Sequence, residues 1–269
     1  MFSFKKMAEE WRKIWREARP NYKEELRDLA TFEDEFLKIL DNYITRDSLI
    51  LEAGCGFGVK CIYFNQRYGA SCVGIDMIME PLKKLQLHLK VAPNKTDVVA
   101  GDVRKLPFRE HVFDVGTSLG VVEHFEEESD ALIVLDEASR VLKRGCFLIL
   151  TIPNFSGTFR NKLLIVLSRG RLGMYHKTYT KRALLRLFNK SNLQIVEVKF
   201  LPFGFRKLVF RIFKSQGMGQ LTYRVIYMIY HAAWELLNLL LKVIVRDDYQ
   251  NPILVVARKL SNNVYSSVN

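Results

Sequence analysis

The stretch Glu52-Ala53-Gly54-Cys55-Gly56-Phe57-Gly58 directly follows an apolar run that extends from Ser48 to Leu51. This pattern predicts a strand that ends in a glycine-rich turn, after which a helix begins. Gly54 and Gly56 lack the Cβ atoms that would keep a ligand away from the backbone N–H groups of such a turn. We expect Gly58 to let the new helix pack closely on the strand. The stretch therefore indicates a site for a nucleotide-like cofactor.

The spacing of the following residues argues against a dinucleotide. A dinucleotide-binding turn has Gly or Ala at the sixth position of its motif, where this chain has Val59. The next strand-like run, 71–75, ends at Asp76, and a third, 97–100, is followed by Asp102. In a parallel sheet these carboxylates lie at the edge where the glycine turn lies. Asp76 can accept hydrogen bonds from both hydroxyls of a ribose, and Asp102 can accept one from the exocyclic amine of adenine.

Several segments together resemble the class I methyltransferases that use S-adenosylmethionine (SAM), in particular the branch called methyltransferase type 11. They follow the order and spacing of that family over about residues 45–200: LEAGCGFG (51–58), Asp76, GDVRKLPF (101–108), FDVGTSLGVVEHF (113–125), ASRVLKRGCFLILTIPN (138–154) and YHKTYTKRALLRLF (175–188). The resemblance implies an α/β fold with a Rossmann-like class I methyltransferase sheet, mainly parallel with a final antiparallel strand, plus helical insertions. Arg144-Gly145 stands where the family more often has Pro-Gly.

The resemblance also implies which residues hold SAM. Glu52, Gly54 and Gly56 would line its methionine end, Asp76 would hold the ribose, and Asp102 with Val103 would frame the adenine. Met77 would pack on the adenine, although a core methionine has the same signature in sequence. The expected cofactor-binding residues are Glu52, Gly54, Cys55, Gly56, Gly58, Asp76, Met77, Asp102, Val103, Ser118 and Leu119.

The segment after the fourth predicted strand supplies the candidates for catalysis. Glu123 and His124 bring a carboxylate and an imidazole close to the expected methyl group. Methyl transfer depends mainly on positioning, and a base is needed only for a hydroxyl or similar acceptor. His124 is therefore a general base, a wall of the pocket, or a structural hydrogen-bonding residue. His176 matches a position that lies near the acceptor in the family. The alternative interpretation is a histidine in a surface loop.

The cysteines and the N-terminal residues indicate in which cellular compartment the protein lies, and the cysteines also indicate whether it has a metal site. Cys55, Cys61, Cys72 and Cys146 form no C-x-x-C pair, which indicates reduced thiols and predicts neither a metal site nor a disulfide framework. Residues 1–10 lack the apolar core of a signal peptide. We expect a cytoplasmic protein.

The net charge of +12 is concentrated in one part of the chain. Residues 1–154 have a net charge of −3, whereas residues 155–214 have a net charge of +13, with Glu197 as their single acidic residue. This distribution predicts an anionic partner, which is a phospholipid headgroup, a phosphorylated substrate or RNA.

The sequence predicts four regions. N-terminal helices occupy 1–44, the SAM-binding core 45–200, a basic, amphipathic helical insertion 201–251, and the last strand with a tail 252–269. The first helix, with Trp11 and Trp15 on its apolar face, either packs on the edge of the domain or covers the SAM pocket as a lid, as the family often does.

The insertion contains the second informative stretch. From Leu221 to Val245 the polar residues fall on one stripe of a helix and leave a broad apolar face. That helix packs on the core or on a second copy in a homodimer, or it lies in a membrane interface. Basic residues among phenylalanines between 203 and 214 favour the interface, so we expect 204–246 to bind an anionic membrane surface, at the inner face of the membrane.

These observations predict a SAM-dependent methyltransferase that acts on a small or lipid-linked acceptor, at oxygen. One alternative is a non-catalytic SAM-binding protein recruited to a membrane or a partner, and another is an RNA methyltransferase. Two observations disfavour a nucleic-acid acceptor. Ser118-Leu119-Gly120-Val121 stands where enzymes that methylate base amines have the motif Asn/Asp-Pro-Pro-Tyr/Phe. The sequence also lacks a Pro-Cys pair, which commonly contains the nucleophilic cysteine of cytosine C5 methyltransferases.

Overall fold

The computed structural model of the protein describes residues 4–32, 34–152, 179, 181–200 and 253–260. The α-helices within these residues are α1 (Phe4–Glu17), α2 (Tyr22–Phe32), α3 (Asp34–Leu40), α4 (Val59–Tyr68), α5 (Met79–Val91), α6 (Glu128–Val141) and α7 (Lys181–Asn189). The strands are β1 (Leu49–Ala53), β2 (Ser71–Asp76), β3 (Thr96–Ala100), β4 (Phe113–Leu119), β5 (Leu142–Ile152), β6 (Leu193–Phe200) and β7 (Ile253–Lys259). A short 3₁₀ turn, Val122–His124, follows β4.

The strands form a seven-stranded sheet in the order β3-β2-β1-β4-β5-β7-β6. Neighbouring strands from β3 to β5 are parallel, whereas β7 runs antiparallel to both β5 and β6. The predicted fold class, a mainly parallel Rossmann-like sheet with a final antiparallel strand, is confirmed.

One element boundary differs from the prediction. The apolar run 146–152 predicts a strand that begins at Cys146, whereas strand β5 begins at Leu142, because Leu142 already pairs with Phe113 before the register shifts. Gly145 has a φ of 75°, a left-handed conformation that glycine adopts without a steric penalty.

Apolar side chains alternate between two cores on the two faces of the sheet. On β7, Ile253, Val255 and Ala257 belong to one core, while Leu254 and Val256 belong to the other. All five are fully buried. A strand that is apolar on both faces is typical of the interior of a sheet covered by helices on each side.

The parallel strands bring several chain turns to one edge. The carboxyl ends of β3, β2, β1 and β4 lie side by side in that order, so the loops after these strands are neighbours in space. Helix α1 packs against α5, which follows β2. The fold thus places the glycine turn, Asp76, Asp102 and the turn at 122–124 at the same edge, next to α1.

Residues 155–177 and the predicted insertion at 201–251, which contains the amphipathic stretch 221–245, lie outside the described residues. In the part of the chain that is described, no helix combines the length and the apolar character needed to cross a bilayer.

Candidate active site

A cavity of about 550 Å³ lies at the carboxyl edge of the sheet. This volume is within the range of pockets that hold small molecules. Most of the predicted cofactor residues line it: Gly54, Cys55, Gly56, Asp76, Met77, Asp102, Val103 and Leu119. The other three, Glu52, Gly58 and Ser118, lie outside its wall and support it from behind.

The glycine turn forms the centre of this wall. Gly54, Gly56 and Gly58 have φ values of 75°, 52° and 65°, which side-chain-bearing residues adopt only at a cost of roughly 1–2 kcal/mol. The backbone N–H groups of Gly54 and Cys55 both donate to the carbonyl of Ile75 on β2, at 2.8 and 3.0 Å. The turn is therefore fixed to the neighbouring strand by its own backbone.

The sequence predicts that Gly58 lets the following helix pack closely on the strand, whereas in the structure Gly58 lies closest to α5. A Cβ at Gly58 would lie 2.2 Å from Leu85 Cδ2, so this glycine makes room for α5. A Cβ at Gly54 would lie 2.3 Å from Val121 Cγ2, in the loop after β4. The two glycines thus allow the elements around the cavity to pack tightly against the turn.

Asp76 connects the end of β2 to the glycine turn. Its Oδ2 accepts a hydrogen bond from the N–H of Gly56, and its Oδ1 accepts one from the N–H of Ile78, both at 2.9 Å. Burial raises the pKa of this carboxyl, and the backbone N–H groups act in the opposite direction. Asp76 also lines the cavity, and a carboxylate has more acceptor sites than these two hydrogen bonds use, so it can accept from the hydroxyls of a ligand as well.

Asp102, after β3, is held by a cation. The guanidinium of Arg104 donates to both carboxylate oxygens, with the shortest contact 2.8 Å from Nη2 to Oδ2. The same guanidinium reaches Asp130 at 3.2 Å and lies 5.7 Å from the ring centroid of Phe125. Asp102 therefore enters the cavity as part of an ion-pair network, a feature that its position in the sequence did not reveal.

Glu52 lies at the end of β1 beneath the turn. It is fully buried, its Oε2 accepts a hydrogen bond from Thr117 Oγ1, and its Oε1 lies 3.8 Å from Lys60 Nζ. Burial raises the pKa of Glu52, and the charge of Lys60 lowers it. Lys60 lines the cavity, so the ammonium connects the buried carboxylate to the ligand space.

Ser118, which supports the cavity from behind, and Cys55, which lines it, are both neutral. Ser118 has an Oγ that finds no hydrogen-bond partner among the described residues. Burial raises the pKa of the Cys55 thiol well above its ordinary value, which keeps it neutral and poorly nucleophilic. No group of three or more His, Cys, Asp or Glu side chains in the described ranges is arranged to hold a metal ion.

The catalytic candidates fall in three different places. His124 lines the cavity, and its ring contacts Trp11 edge-on with 5.2 Å between centroids. Glu123 is buried beside it, outside the cavity wall, and its Oε2 has no hydrogen-bond partner among the described residues. Burial raises the pKa of Glu123 to about 8. His176 lies outside the described residues.

Helix α1 supplies one wall of the cavity through Met7, Trp11 and Trp15. The two indoles are stacked with 5.3 Å between ring centroids, and Trp15 meets Phe57 of the glycine turn edge-on at 4.8 Å. The sequence indicates the apolar face of α1 through the spacing of these residues, but it does not show which surface that face covers. Helix α1 lies on the cavity, where a lid would have to be. That it opens and closes remains a prediction.

The sequence profile of a methyltransferase domain family matches residues 51–150. Residues 51–150 therefore belong to a methyltransferase domain. The match begins within β1 and extends through most of β5, and it includes the glycine turn, Asp76, Asp102 and His124. Helix α1, which supplies one wall of the cavity, and strands β6 and β7 lie outside it.

Individual proteins agree with this assignment. A protein of Encephalitozoon cuniculi named, provisionally, as a methyltransferase is 32% identical over 129 residues, which are 46% of this chain and 54% of that protein. Norajmaline N-methyltransferase of Rauvolfia serpentina is 28% identical over 95 residues, 35% of this chain and 32% of that enzyme. This chain therefore spans about half the length of the first relative and about a third of the second.

A solved structure extends the similarity to the fold. Phosphoethanolamine N-methyltransferase 2 of Haemonchus contortus, in complex with SAM, superimposes with a TM-score of 0.60 at 15% identity, over 84% of this chain and 52% of that one. SAM is the cofactor that the sequence predicts for this chain. The residues present fit it, because three glycines with positive φ form the centre of the cavity wall and the carboxylates of Asp76 and Asp102 line the same cavity.

Proposed function

We propose that the protein transfers the methyl group of SAM to a hydroxyl oxygen of a small or lipid-linked acceptor. One observation carries this proposal: a single cavity brings together the glycine turn, Asp76, Asp102 and His124 under α1. In sheet order Asp102 and Asp76 lie on one side of the glycine turn and His124 on the other. The acceptor thus belongs on the β4 side, next to His124 and Trp11.

Bound SAM supplies an electrophilic methyl group on a positively charged sulfur. Held by the glycine turn, Asp76 and Asp102, SAM would give up this methyl group to the acceptor oxygen, and the electron pair of the broken carbon–sulfur bond would stay on the sulfur. A nitrogen of His124 takes the proton that the hydroxyl loses, as a general base. Trp11, which touches the imidazole ring, orients it and excludes water from this side of the cavity. Most of the catalytic effect comes from the alignment of the two partners.

Calorimetry with SAM, followed by mass spectrometry of cell extract incubated with the protein and methyl-deuterated SAM, tests the proposal. We expect binding and a deuterated product. Binding with no labelled product would instead support a non-catalytic SAM-binding protein. No binding at all would contradict both interpretations.

The role of His124 has its own test. Once a product is known, His124→Ala should lower kcat roughly 100-fold or more, since a positioned general base contributes typically 10²–10⁴-fold, while SAM affinity stays near that of the native protein. A wild-type rate in this variant would show that His124 is not the general base. Fragmentation of the labelled product identifies the methylated atom.

A nitrogen acceptor is the second candidate, favoured by the similarity to norajmaline N-methyltransferase. A neutral amine attacks through its own lone pair and needs no base in the transition state. In that case the product carries an N-methyl group and His124→Ala has a small effect on kcat. The two candidate acceptors therefore predict different methylated products and different effects of His124→Ala on kcat.

Recruitment to an anionic membrane surface through residues 204–246 completes the proposal, and the basic composition of that stretch supports it. Vesicles that contain anionic lipid should sediment the protein in a salt-sensitive manner. Neutralising Arg206, Lys207 and Arg211 should weaken this binding. Equal sedimentation with neutral vesicles would contradict the electrostatic part, and binding to RNA but not to vesicles would favour the RNA alternative.

A further inference from the structure

Lys84 joins α5 to the end of α1. Its Nζ donates hydrogen bonds to the carbonyl oxygens of Trp15 and Ala18, both at 2.6 Å, and lies 3.3 Å from that of Arg16. The last carbonyls of a helix have no partners within the helix and carry a partial negative charge. An ammonium among them therefore makes charge-assisted hydrogen bonds, which are stronger than neutral ones.

The position of Lys84 is fixed from the other side by the core. The next residue, Leu85, is fully buried, and it is the side chain that a Cβ at Gly58 would strike. The Lys84 ammonium also lies 5.4 Å from the ring centroid of Phe57, which contacts Trp15 edge-on. One side chain thus connects α5, the glycine turn and the end of α1.

Another described link between the two helices is much weaker. Arg12 Nε and Glu80 Oε1 are 3.8 Å apart, and the Arg12 side chain is 48% exposed. Exposed ion pairs of this kind contribute about 0–1 kcal/mol. Lys84 therefore provides the stronger polar attachment between α1 and α5.

The helix that Lys84 holds forms two contacts inside the cavity. The outer carbons of the Trp15 indole lie 3.2 Å from where a Cβ of Gly56 would be, so the ring rests on the glycine turn. One helical turn earlier, Trp11 contacts the ring of His124. A shift of α1 would move both indoles together, since they are stacked on each other.

We propose that Lys84 is a positioning residue: by holding the C-terminal carbonyls of α1, it keeps Trp15 over the glycine turn and Trp11 against His124, and so governs how long the cofactor stays bound. The part that concerns the cofactor rests on the proposed function, whereas the part that concerns α1 does not. Lys84 needs no contact with the ligand for this role.

Stopped-flow tryptophan fluorescence with S-adenosylhomocysteine measures the cofactor part. Lys84→Met should raise the dissociation rate constant about tenfold or more, because each hydrogen bond to a charged group is worth about 1.5–3 kcal/mol and 1.4 kcal/mol is tenfold. The matched control is Lys83→Met, an exposed lysine at the preceding position of α5, which should behave as the native protein does. Lys84→Arg should restore slow dissociation in part, because it keeps the charge.

Quenching of tryptophan fluorescence by acrylamide tests the α1 part without any ligand. The chain has three tryptophans, so a Trp234→Phe background leaves Trp11 and Trp15 as reporters. Lys84→Met should make them more accessible to acrylamide than Lys83→Met does, while the melting temperatures of the two variants remain similar.

Equal quenching in Lys84→Met and Lys83→Met would overturn the proposal, whether or not the protein binds SAM. Unchanged dissociation of S-adenosylhomocysteine from Lys84→Met would overturn its cofactor part. If the native protein binds no S-adenosylhomocysteine while Lys84→Met still exposes the tryptophans, the proposed function fails and the positioning of α1 by Lys84 stands.

Discussion

The cavity has a floor and a cover that are built in different ways. The floor consists of the loops after β1, β2 and β4, and backbone hydrogen bonds and close packing hold it, such as those from Gly54 and Cys55 to Ile75. The cover is α1, and side chains attach it, mainly Lys84 and the stacked indoles. A floor fixed by sheet register can move only if the sheet unfolds, whereas a few side chains can release the cover. The comparison predicts that floor variants change the stability of the protein strongly, whereas cover variants change ligand binding with little effect on stability.

The largest effect should come from Glu123, a buried acid in the floor. Burial raises its pKa from the ordinary 4.5 to about 8, so between these two pH values the unfolded state has lost a proton that the folded state keeps. The free energy of unfolding therefore falls as pH rises through this range, and the loss is complete above pH 8. Glu123→Gln, which does not titrate, should be more stable than the native protein at pH 9 by several kcal/mol, at about 1.4 kcal/mol per pKa unit.

Urea unfolding of both proteins from pH 5 to pH 9 provides the measurement. The exposed neighbour Glu127→Gln is the control and should track the native protein. A stability difference between Glu123→Gln and the native protein that is constant across this range would mean that Glu123 does not titrate as a buried acid.

The next largest effect is expected for Gly58→Ala. The new Cβ would lie 2.2 Å from the fully buried Leu85, in a backbone with a φ of 65°. Strain and overpacking together should cost about 3 kcal/mol in urea unfolding. Gly69→Ala is the matched control, since its φ is 71° but its Cβ would meet Arg46 Cγ at 3.3 Å. Equal losses in the two variants would show that the tight packing of the floor contributes nothing.

Asp76→Asn should affect both stability and ligand binding. An amide has one acceptor oxygen, so either Gly56 or Ile78 would lose its hydrogen bond and face an NH₂ group. We expect a loss of about 2 kcal/mol of stability and, by calorimetry, about 30-fold weaker SAM binding. The control is Asp97→Asn on the exposed side of β3. Native SAM affinity in Asp76→Asn would remove Asp76 from the cofactor site.

The smallest change in stability is expected for the cover. Trp11→Leu removes the stack on Trp15 and the edge contact with His124, but it leaves the sheet untouched. We expect about 1 kcal/mol of stability to be lost, the low end of what two aromatic contacts contribute, and SAM binding to weaken several-fold. Trp11→Phe should retain most of the affinity. A loss of stability in Trp11→Leu as large as that in Gly58→Ala would break the distinction between floor and cover.

The same distinction explains what the sequence can predict. The floor depends on local signals, because a glycine turn after an apolar run and a carboxylate at the end of the next strand lie close together in the chain and in the fold. The direction of the strands, mainly parallel with a final antiparallel strand, is therefore correct in the prediction. The late start of β5 in the prediction reflects Gly145, which signals a turn but lies inside a strand in a left-handed conformation.

Contacts between distant segments were not predictable in this way. The attachment of Lys84 to α1 joins residues separated by 66 to 69 positions in the chain. The pairing of Arg104 with Asp130 and the contact of Trp11 with His124 likewise exist only once the loops meet at the sheet edge. Residues of these types make many different contacts in proteins, and their spacing in the sequence does not indicate which contact forms in the fold.

The place of β7 in the sheet has a consequence for how the protein is made. This strand fills the space between β5 and β6, and Arg258 on it contacts Gly145, 113 residues earlier in the chain. A chain emerging from the ribosome therefore presents two unpaired strand edges and two unfinished cores until residue 259 has been synthesised. Unpaired edges recruit other chains. Nascent or truncated molecules without β7 should thus aggregate or require a chaperone, even though all the residues of the methyltransferase domain at 51–150 are already present.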